Sequence, residues 1–289
     1  MTLQSSDLRR ARDEVGAVIA VEELDGGLVE LTAHLPHLAA TTRAGEFAQL
    51  RCGPGPVPLL RRPFSVAWVD GETCSFVFER VGDGTRRLAA MRPGDMLASL
   101  GPLGTGFTVR KGMRRVVCVA GGLGCAPFPL LARQARALGV AEVVVLHGAA
   151  TASRLYPSAR FVRGDAAGVR VVESTDDGSR AHHGLVVDLL GRELLADADA
   201  VYACGPNLML AATASRLRHG LDGSAAAPVR EASLEAPMGC GFGTCLGCAL
   251  PVLRDGAPGW ALCCREGPVM PIDAVDWEGL RALPPAHVA

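Results

Sequence analysis

The sequence predicts a multi-domain β + α/β protein. An N-terminal antiparallel β-barrel is expected over residues 13–111, a parallel α/β domain over 112–226, and a small cysteine-rich domain over 227–275. Three observations predict this order. Short β-like runs separated by turn residues fill the first third of the chain. Apolar strand-like runs then alternate with helical patterns, as in a parallel sheet covered on both faces. The last part is short, rich in Gly and Cys, and ends in a Pro- and Ala-rich tail. A length of 289 residues is more than one core usually organises.

In the first region the candidate strands are VGAVIAVEEL, LVELTAHL, EFAQLR, PFSVAWV, TCSFVFERV and DMLASLG. Asp25-Gly26-Gly27, Gly53-Pro54-Gly55 and Asp70-Gly71 supply the turns. One helix interrupts them over 85–91, stopped by Pro93-Gly94. In the second region RRVVCVA, EVVVLHG, VRVVES and ADAVYAC read as strands. Helices are expected over 126–138, ended by Gly139, and over 188–195 and 207–217. Ligands on such a sheet bind beyond the carboxyl ends of its strands. No internal repeat is found.

Composition narrows the function classes. Hydrophobic residues make up 49% of the chain, ample for burial, and the formal net charge is −1 with no basic block. Nucleic acid and anionic membrane are therefore poor partners. The N-terminal MTLQSSDLRRARDEVG has no apolar core of a signal peptide. The longest apolar run, 116–132, is broken by Gly and Pro, so no membrane span is expected. Ten cysteines without a secretory context point to a reducing cytoplasm, with thiols free or metal-bound.

The cysteines carry the most specific signal. MGCGFGTCLGC places Cys240, Cys245 and Cys248 in a C-x₄-C-x₂-C run, with Cys263 and Cys264 following in CCREGPVM. Plant-type [2Fe–2S] clusters use this spacing, three thiolates on one tight loop and the fourth from a distant segment. Gly241, Gly243 and Gly247 are expected at φ > 0, curling the loop and turning backbone N–H groups towards anionic sulfur. A zinc site would normally pair two C-x₂₋₄-C knuckles, and the second half here offers only the adjacent Cys263 and Cys264.

Four shorter segments are candidates for nucleotide contacts. Gly121-Gly122-Leu123-Gly124-Cys125-Ala126-Pro127 leaves the first parallel strand and opens a helix, where glycines allow close backbone approach and the helix N-terminus favours a pyrophosphate. Pro127 suits a first helical turn. A plain tight turn is the bland reading. Cys204-Gly205-Pro206 ends a later strand of the same sheet and is expected beside that first loop; Cys204 alone could be a packing residue. Arg62-Pro63-Phe64-Ser65 offers a guanidinium fork, a flat ring and a hydroxyl. Gly82-Asp83-Gly84-Thr85 opens the short helix with free amides, or is simply a turn with a cap.

Taken together, RPFS, VGDGT, GGLGCAP, YACGP and the cysteine array resemble, in order, the ferredoxin–NADP reductase superfamily. Longer stretches such as LLRRPFSV, LGPLGTGF, YACGPNLML, EAPMGCGFGTCLGCALPV and CCREGPVMPI resemble in particular the electron-transfer subunit of class 1B dihydroorotate dehydrogenase. The resemblance spans about residues 15–272. It implies FAD on the barrel, NAD on the α/β domain and a [2Fe–2S] cluster at the C-terminal end. Carried over by position, Arg62, Pro63, Phe64 and Ser65 would touch the flavin and its phosphates. Glu79, Arg80 and Val81 would line the ring through backbone groups, and Gly84 and Thr85 would hold the pyrophosphate. Gly121, Gly122, Gly124, Ala126, Pro127, Gly205 and Pro206 would form the NAD site. In this family the last cluster ligand stands two residues before GPV, which makes Cys264 the fourth ligand beside Cys240, Cys245 and Cys248. Phe64 departs from the Tyr of many superfamily members; stacking survives and a phenolic hydrogen bond does not.

The chain shows no residue set for oxidising dihydroorotate. The resemblance implies a separate FMN-containing catalytic subunit, in a heterotetramer, with electrons running from FMN through cluster and FAD to NAD⁺. Cys204, delivered to the sheet edge, is the expected neighbour of the nicotinamide during hydride transfer. Ser174-Thr175-Asp176-Asp177 offers carboxylates and no Arg where NADP users hold a 2′-phosphate, so NADH is the expected partner, with Arg154 and Arg180 nearby in sequence. Two other readings use the same residues: a related NAD(P)H:ferredoxin or sulfide oxidoreductase subunit, and a non-catalytic flavin and cluster redox sensor.

Overall fold

The computed structural model describes residues 7–53, 55, 58–163, 167–219 and 228–282. The N-terminal region is one antiparallel sheet. Its strands are β1 (Arg12–Glu23), β2 (Leu28–His34), β3 (Phe47–Leu50), β4 (Arg62–Ser65), β5 (Trp68–Asp70), β6 (Thr73–Glu79) and β7 (Met96–Leu103), in the spatial order β4-β3-β7-β1-β2-β6-β5. Helix α1 (Pro36–Thr41) follows β2, and α2 (Asp83–Ala89) follows β6. The run PFSVAWV, expected as one strand, is two. At its middle the chain turns a corner, so that the Val66 N–H bonds to Glu46 and the Ala67 N–H to Ser75. The chain thus passes from β3 to β6 and ties together the two edges of the sheet. Phe64 meets Phe78 across that seam, ring centroids 5.3 Å apart. This is how the sheet curls into a barrel. Helix α2 starts two residues earlier than expected, because Thr85 Oγ1 accepts the N–H groups of Val81 and Gly82 at 3.0 and 3.1 Å.

The second sheet has β8 (Arg115–Gly121), β9 (Glu142–Ala149), β10 (Val169–Thr175), β11 (His182–His183), β12 (Ala200–Cys204) and β13 (Val229–Ser233) running parallel. Helix α3 (Phe128–Ala137) follows β8, and α4 (Arg192–Ala196) and α5 (Asn207–His219) flank β12 in sequence. The helix expected over 188–195 is broken: a 3₁₀ turn, Val186–Leu189, precedes α4, because Gly191 is extended and caps a new helix. The C-terminal segment adds the hairpin β14 (Ala249–Arg254) and β15 (Ala257–Leu262), α6 (Cys263–Glu266), β16 (Val269–Pro271) and α7 (Trp277–Arg281). Strand β16 pairs antiparallel with β13, giving the order β11-β10-β9-β8-β12-β13-β16. The parallel sheet therefore continues through β13, past the boundary expected at 226/227, which itself lies outside the described residues. Pro54, residues 1–6 and the tail from 283 lie outside them as well.

Strand β8 shows why its apolar run carries no alternation. Val116, Cys118 and Ala120 join the core that fills the barrel and continues under α3, while Val117 and Val119 face the opposite core with Cys248, Cys263 and Cys264. Phe107 bridges the first core, 5.8 Å from Phe128 and 5.0 Å from Tyr202 between ring centroids. The two sheets are also joined by a buried carboxylate. Glu30 on β2 accepts from Arg160 at 3.0 Å, Arg163 at 2.6 Å and the Tyr156 hydroxyl at 3.2 Å. Three donors on one carboxylate offset the cost of taking it out of water. Among the described residues no helix is long and apolar enough to cross a membrane.

Candidate functional site

Strand order reverses between β8 and β12: the chain builds β9, β10 and β11 on one side of β8 and β12 and β13 on the other. A crevice at the carboxyl ends of β8 and β12 is the place for a ligand on such a sheet. Both candidate loops emerge there, and they touch. A Cβ on Gly124 would lie 2.2 Å from the Cys204 carbonyl oxygen and 2.5 Å from the Gly205 nitrogen. Gly205, at φ +149°, crosses Gly121 so closely that its own Cβ would be 3.0 Å from the Gly121 N and O. Gly124 is thus required by loop-on-loop packing. Gly122 differs, at φ +52° with open space where a Cβ would be. After a 3₁₀ turn over Gly122–Cys125, Pro127 caps the N-terminus of α3, and Ala126 is buried. Pro206 lies against Gly121. Cys204 is 7% exposed; burial, with the charge of Glu235, pushes its thiol up to about 12. At neutral pH it is a protonated thiol and no nucleophile.

The barrel segments come together at a second place. Gly84 lies on the Arg62 side chain, where a Cβ would be 3.4 Å from Arg62 Cγ. The Arg62 guanidinium donates to the Leu60 carbonyl at 2.9 Å, and among the described residues no carboxylate pairs with it. Pro63 lies opposite Gln49, Phe64 opposite Ala48 and Ser65 opposite Phe47 in the β3–β4 ladder. Thr85 spends its hydroxyl on the N–H groups of Val81 and Gly82 before α2, leaving Asp83, Gly84 and Thr85 to present the first-turn amides. Glu79 and Arg80 turn their side chains away into ion pairs, Glu79 with Arg154 at 2.8 Å and Arg80 with Glu23. Val81 is exposed. The end of β6 packs against the Gly122–Cys125 turn, so this second place faces the crevice of the first.

The cysteine segment forms the third. Gly241 and Gly243 have φ of +84° and +90°. Gly247, expected at φ > 0, does not; Leu246 takes that conformation instead at φ +60°. The curled loop directs the N–H groups of Cys245, Phe242 and Thr244 at Cys240. Against the cost of burial they pull its thiol down to about 6. The β14–β15 hairpin then returns the chain, with the Cys263 N–H on the Cys248 carbonyl at 3.0 Å. This sets Cys264 Sγ 3.2 Å from Cys248 Sγ, and the Cys264 N–H 3.5 Å from the same sulfur. The hydrogen bond from Cys264 draws Cys248 down to about 6. Cys264 itself is pushed up by that bond, by burial and by the charges of Cys248 and Cys240. Adjacent Cys263 points the other way, its Sγ 3.5 Å from the Leu234 carbonyl in a fully buried setting.

The cysteines therefore fall into two pairs, Cys245 with its N–H 3.5 Å from Cys240 Sγ, and Cys248 with its Sγ 3.2 Å from Cys264 Sγ. Among the described residues no three acidic, His or Cys side chains converge on a single point. Two pairs fit the donor set of a two-iron cluster, with two thiolates for each iron. Cys245 is exposed, and beside it Phe242 and Leu246 are 39% and 63% exposed.

One residue that the pattern of the sequence did not mark joins the second and third places. Gln49, on β3, lies beside Pro63 on one side and directly under Gly241 on the other. In the sequence it is one polar residue in a short strand, and only its complete burial sets it apart.

A family profile described as the iron-sulfur cluster binding domain of dihydroorotate dehydrogenase B matches residues 235–276. The dihydroorotate dehydrogenase B (NAD(+)) electron transfer subunit of Desulforamulus reducens is 36% identical over 246 residues, 84% of this chain and 90% of the relative. The protein of the same name from Geobacillus thermodenitrificans is 36% identical, covering 83% and 89%. Among solved structures, a chain of an NADH-dependent reduced ferredoxin-NADP oxidoreductase superposes with a TM-score of 0.77 at 24% identity, over 93% of this chain and 92% of that one. The ferredoxin reductase of carbazole 1,9a-dioxygenase gives 0.62 at 22% identity, over 73% and 67%. These two likenesses show the ferredoxin–NADP reductase-like fold.

Proposed function

This chain belongs to the family of dihydroorotate dehydrogenase B (NAD(+)) electron transfer subunits, and on that premise we propose that it carries electrons between a dihydroorotate-oxidising partner and NAD⁺. It is an oxidoreductase subunit with FAD, NAD and a [2Fe–2S] cluster as its redox groups. Bound together, FAD exchanges a hydride with NAD(H) and single electrons with the cluster, which is the chemistry these groups supply.

The residues of this chain bind, orient and insulate. Arg62, Ser65 and the amides at Gly84 and Thr85 hold the flavin phosphates; Phe64 and the backbone from Glu79 to Val81 flank its ring. Gly121, Gly122, Gly124, Ala126, Pro127, Gly205 and Pro206 hold the dinucleotide, and Cys204 offers a small neutral side chain against the nicotinamide. Cys240, Cys245, Cys248 and Cys264 hold the cluster. The exposed edge at Cys245, with Phe242 and Leu246, faces a partner chain bearing FMN, where dihydroorotate is oxidised, in a cytoplasmic heterotetramer.

The observation that carries this reading is continuity. The β3–β4 ladder joins the flavin segment to the cysteine loop, and the end of β6 joins it to the crevice at β8 and β12. One test has two stages. Anaerobically purified chain should contain about two irons and about one FAD, and NADH should bleach the flavin rapidly in stopped flow. Adding the FMN subunit and dihydroorotate should then reduce NAD⁺. Slow bleaching would favour a redox sensor. Rapid bleaching with no dihydroorotate-dependent turnover would favour a sister oxidoreductase using another partner.

A further inference from the structure

Gln49 is 0% exposed, and among the described residues neither its Nε2 nor its Oε1 has a hydrogen-bond partner. Leaving a buried amide unpaired costs about 1–3 kcal/mol, so such a group marks a place where a partner binds. Its surroundings say which partner. Strand β3 divides its side chains between two cores: Ala48 and Leu50 enter the barrel core, while Phe47 joins the core that holds Cys248 and Cys264. By the two-residue period of a strand, Gln49 shares the face of Phe47. Its amide reaches the cysteine loop. A Cβ on Gly241, the residue after Cys240, would lie 2.7 Å from Gln49 Nε2 and 2.7 Å from its Cγ. Gly241 is therefore needed both for its φ of +84° and to admit this side chain.

We propose that Gln49 donates an N–H···S hydrogen bond to the cluster held by the cysteine loop and so sets its reduction potential and its position relative to the flavin segment on β4. The proposal rests on the cluster reading given above. A primary amide has a donor end and an acceptor end, and an anionic sulfur selects the Nε2 end. The bond strengthens when the cluster gains an electron, because the acceptor becomes more negative. It therefore favours the reduced state and raises the potential. The backbone N–H groups around Cys240 act in the same sense, but they belong to the loop itself. Gln49 belongs to the barrel, and it is the side chain through which the flavin-binding strand pair can report on the cluster.

The test has a spectroscopic arm and an equilibrium arm. The chain has only three glutamines, at 4, 49 and 134. The Gln134 amide is already engaged by Ala44 and Thr42, at 2.9 and 3.1 Å. Wild-type chain carrying ¹⁵N only in its glutamine side-chain amides is reduced and examined by pulsed EPR. A ¹⁵N coupling to the cluster that disappears in Gln49→Met supports the proposal. In the redox titration, Gln49→Met should shift the one-electron equilibrium towards the oxidised cluster by about tenfold, about 59 mV, with the flavin potential unchanged. A cluster signal without ¹⁵N coupling overturns the proposal even if the variant fails to assemble. So does a Gln49→Met cluster whose equilibrium moves less than about twofold. If wild-type chain shows no [2Fe–2S] signal at all, the cluster reading itself fails, and this inference with it.

Discussion

Replacing Gly124 by Ala tests the arrangement of the two crevice loops. The added Cβ would meet the Cys204 carbonyl carbon at 2.4 Å, its oxygen at 2.2 Å and the Gly205 nitrogen at 2.5 Å, where ordinary contact begins near 3.4 Å. The obstruction is backbone, so no rotamer relieves it, and one loop must retreat by about 1 Å. Overpacking of this kind costs about 1–3 kcal/mol of stability. A 1 Å misplacement of reacting atoms costs on the order of 100-fold in rate. The expected variant folds, retains FAD and iron, melts a few degrees lower, and reduces its flavin with NADH about 100-fold more slowly in stopped flow. Electron exchange between cluster and flavin should be unaffected, because the added atom presses on the Cys204–Gly205 backbone. A Gly124→Ala chain that keeps both the melting temperature and the hydride-transfer rate of wild type would show that the two loops do not set the nicotinamide geometry.

Further outcomes follow from other contacts. Cys264→Ser should abolish or alter the visible spectrum of the cluster, whereas Cys263→Ser, whose thiol faces Leu234, should leave it intact; a reversal of these roles would make Cys263 the ligand. NADH should exceed NADPH in kcat/KM by roughly 100-fold, since a phosphate dianion beside Asp176 and Asp177 meets like charge. The nearby cations are engaged elsewhere, Arg180 with Glu173 at 2.7 Å and Arg154 with Glu79 at 2.8 Å, and equal values for the two coenzymes would refute the assignment. His147 is fully buried, and burial pushes its pKa down to about 4. The unfolded chain then binds a proton between the ordinary value of about 6.5 and about 4 that the folded chain does not, so stability falls as pH drops through that window. From pH 7 to 5 the loss attributable to His147 is roughly 2 kcal/mol. His147→Leu should remove that part of the slope in denaturant titrations, and an unchanged slope would show that His147 is not its source.

Much of the fold was legible because it rests on local pattern. Strand runs in the first region, the alternation after residue 114 and the glycine turns all report local backbone preference and burial period, which are written in adjacent residues. The errors have physical causes too. PFSVAWV reads as one strand because nothing local marks the exchange of partners at Val66 and Ala67. The helix expected over 188–195 breaks because Gly191 is extended and caps α4. Leu246, rather than Gly247, takes the left-handed conformation, since the curl of the loop sets which residue must turn.

The sequence by itself determined the cysteine spacing, the glycines at the turns, the order of elements and the family resemblance. All of these are properties of residues near one another along the chain. Only the tertiary structure decided that Cys264 faces Cys248 while its neighbour Cys263 faces Leu234, because the β14–β15 hairpin fixes which side of α6 meets the loop. Only it showed that Gly124 is needed for a carbonyl eighty residues away and Gly241 for a side chain on β3. It also placed β13 in the parallel sheet with β16 antiparallel at its edge, and gave Gln49 its buried place between barrel and cysteine loop. Those are contacts between residues distant in sequence, and no local period or propensity records which distant partner a side chain will meet.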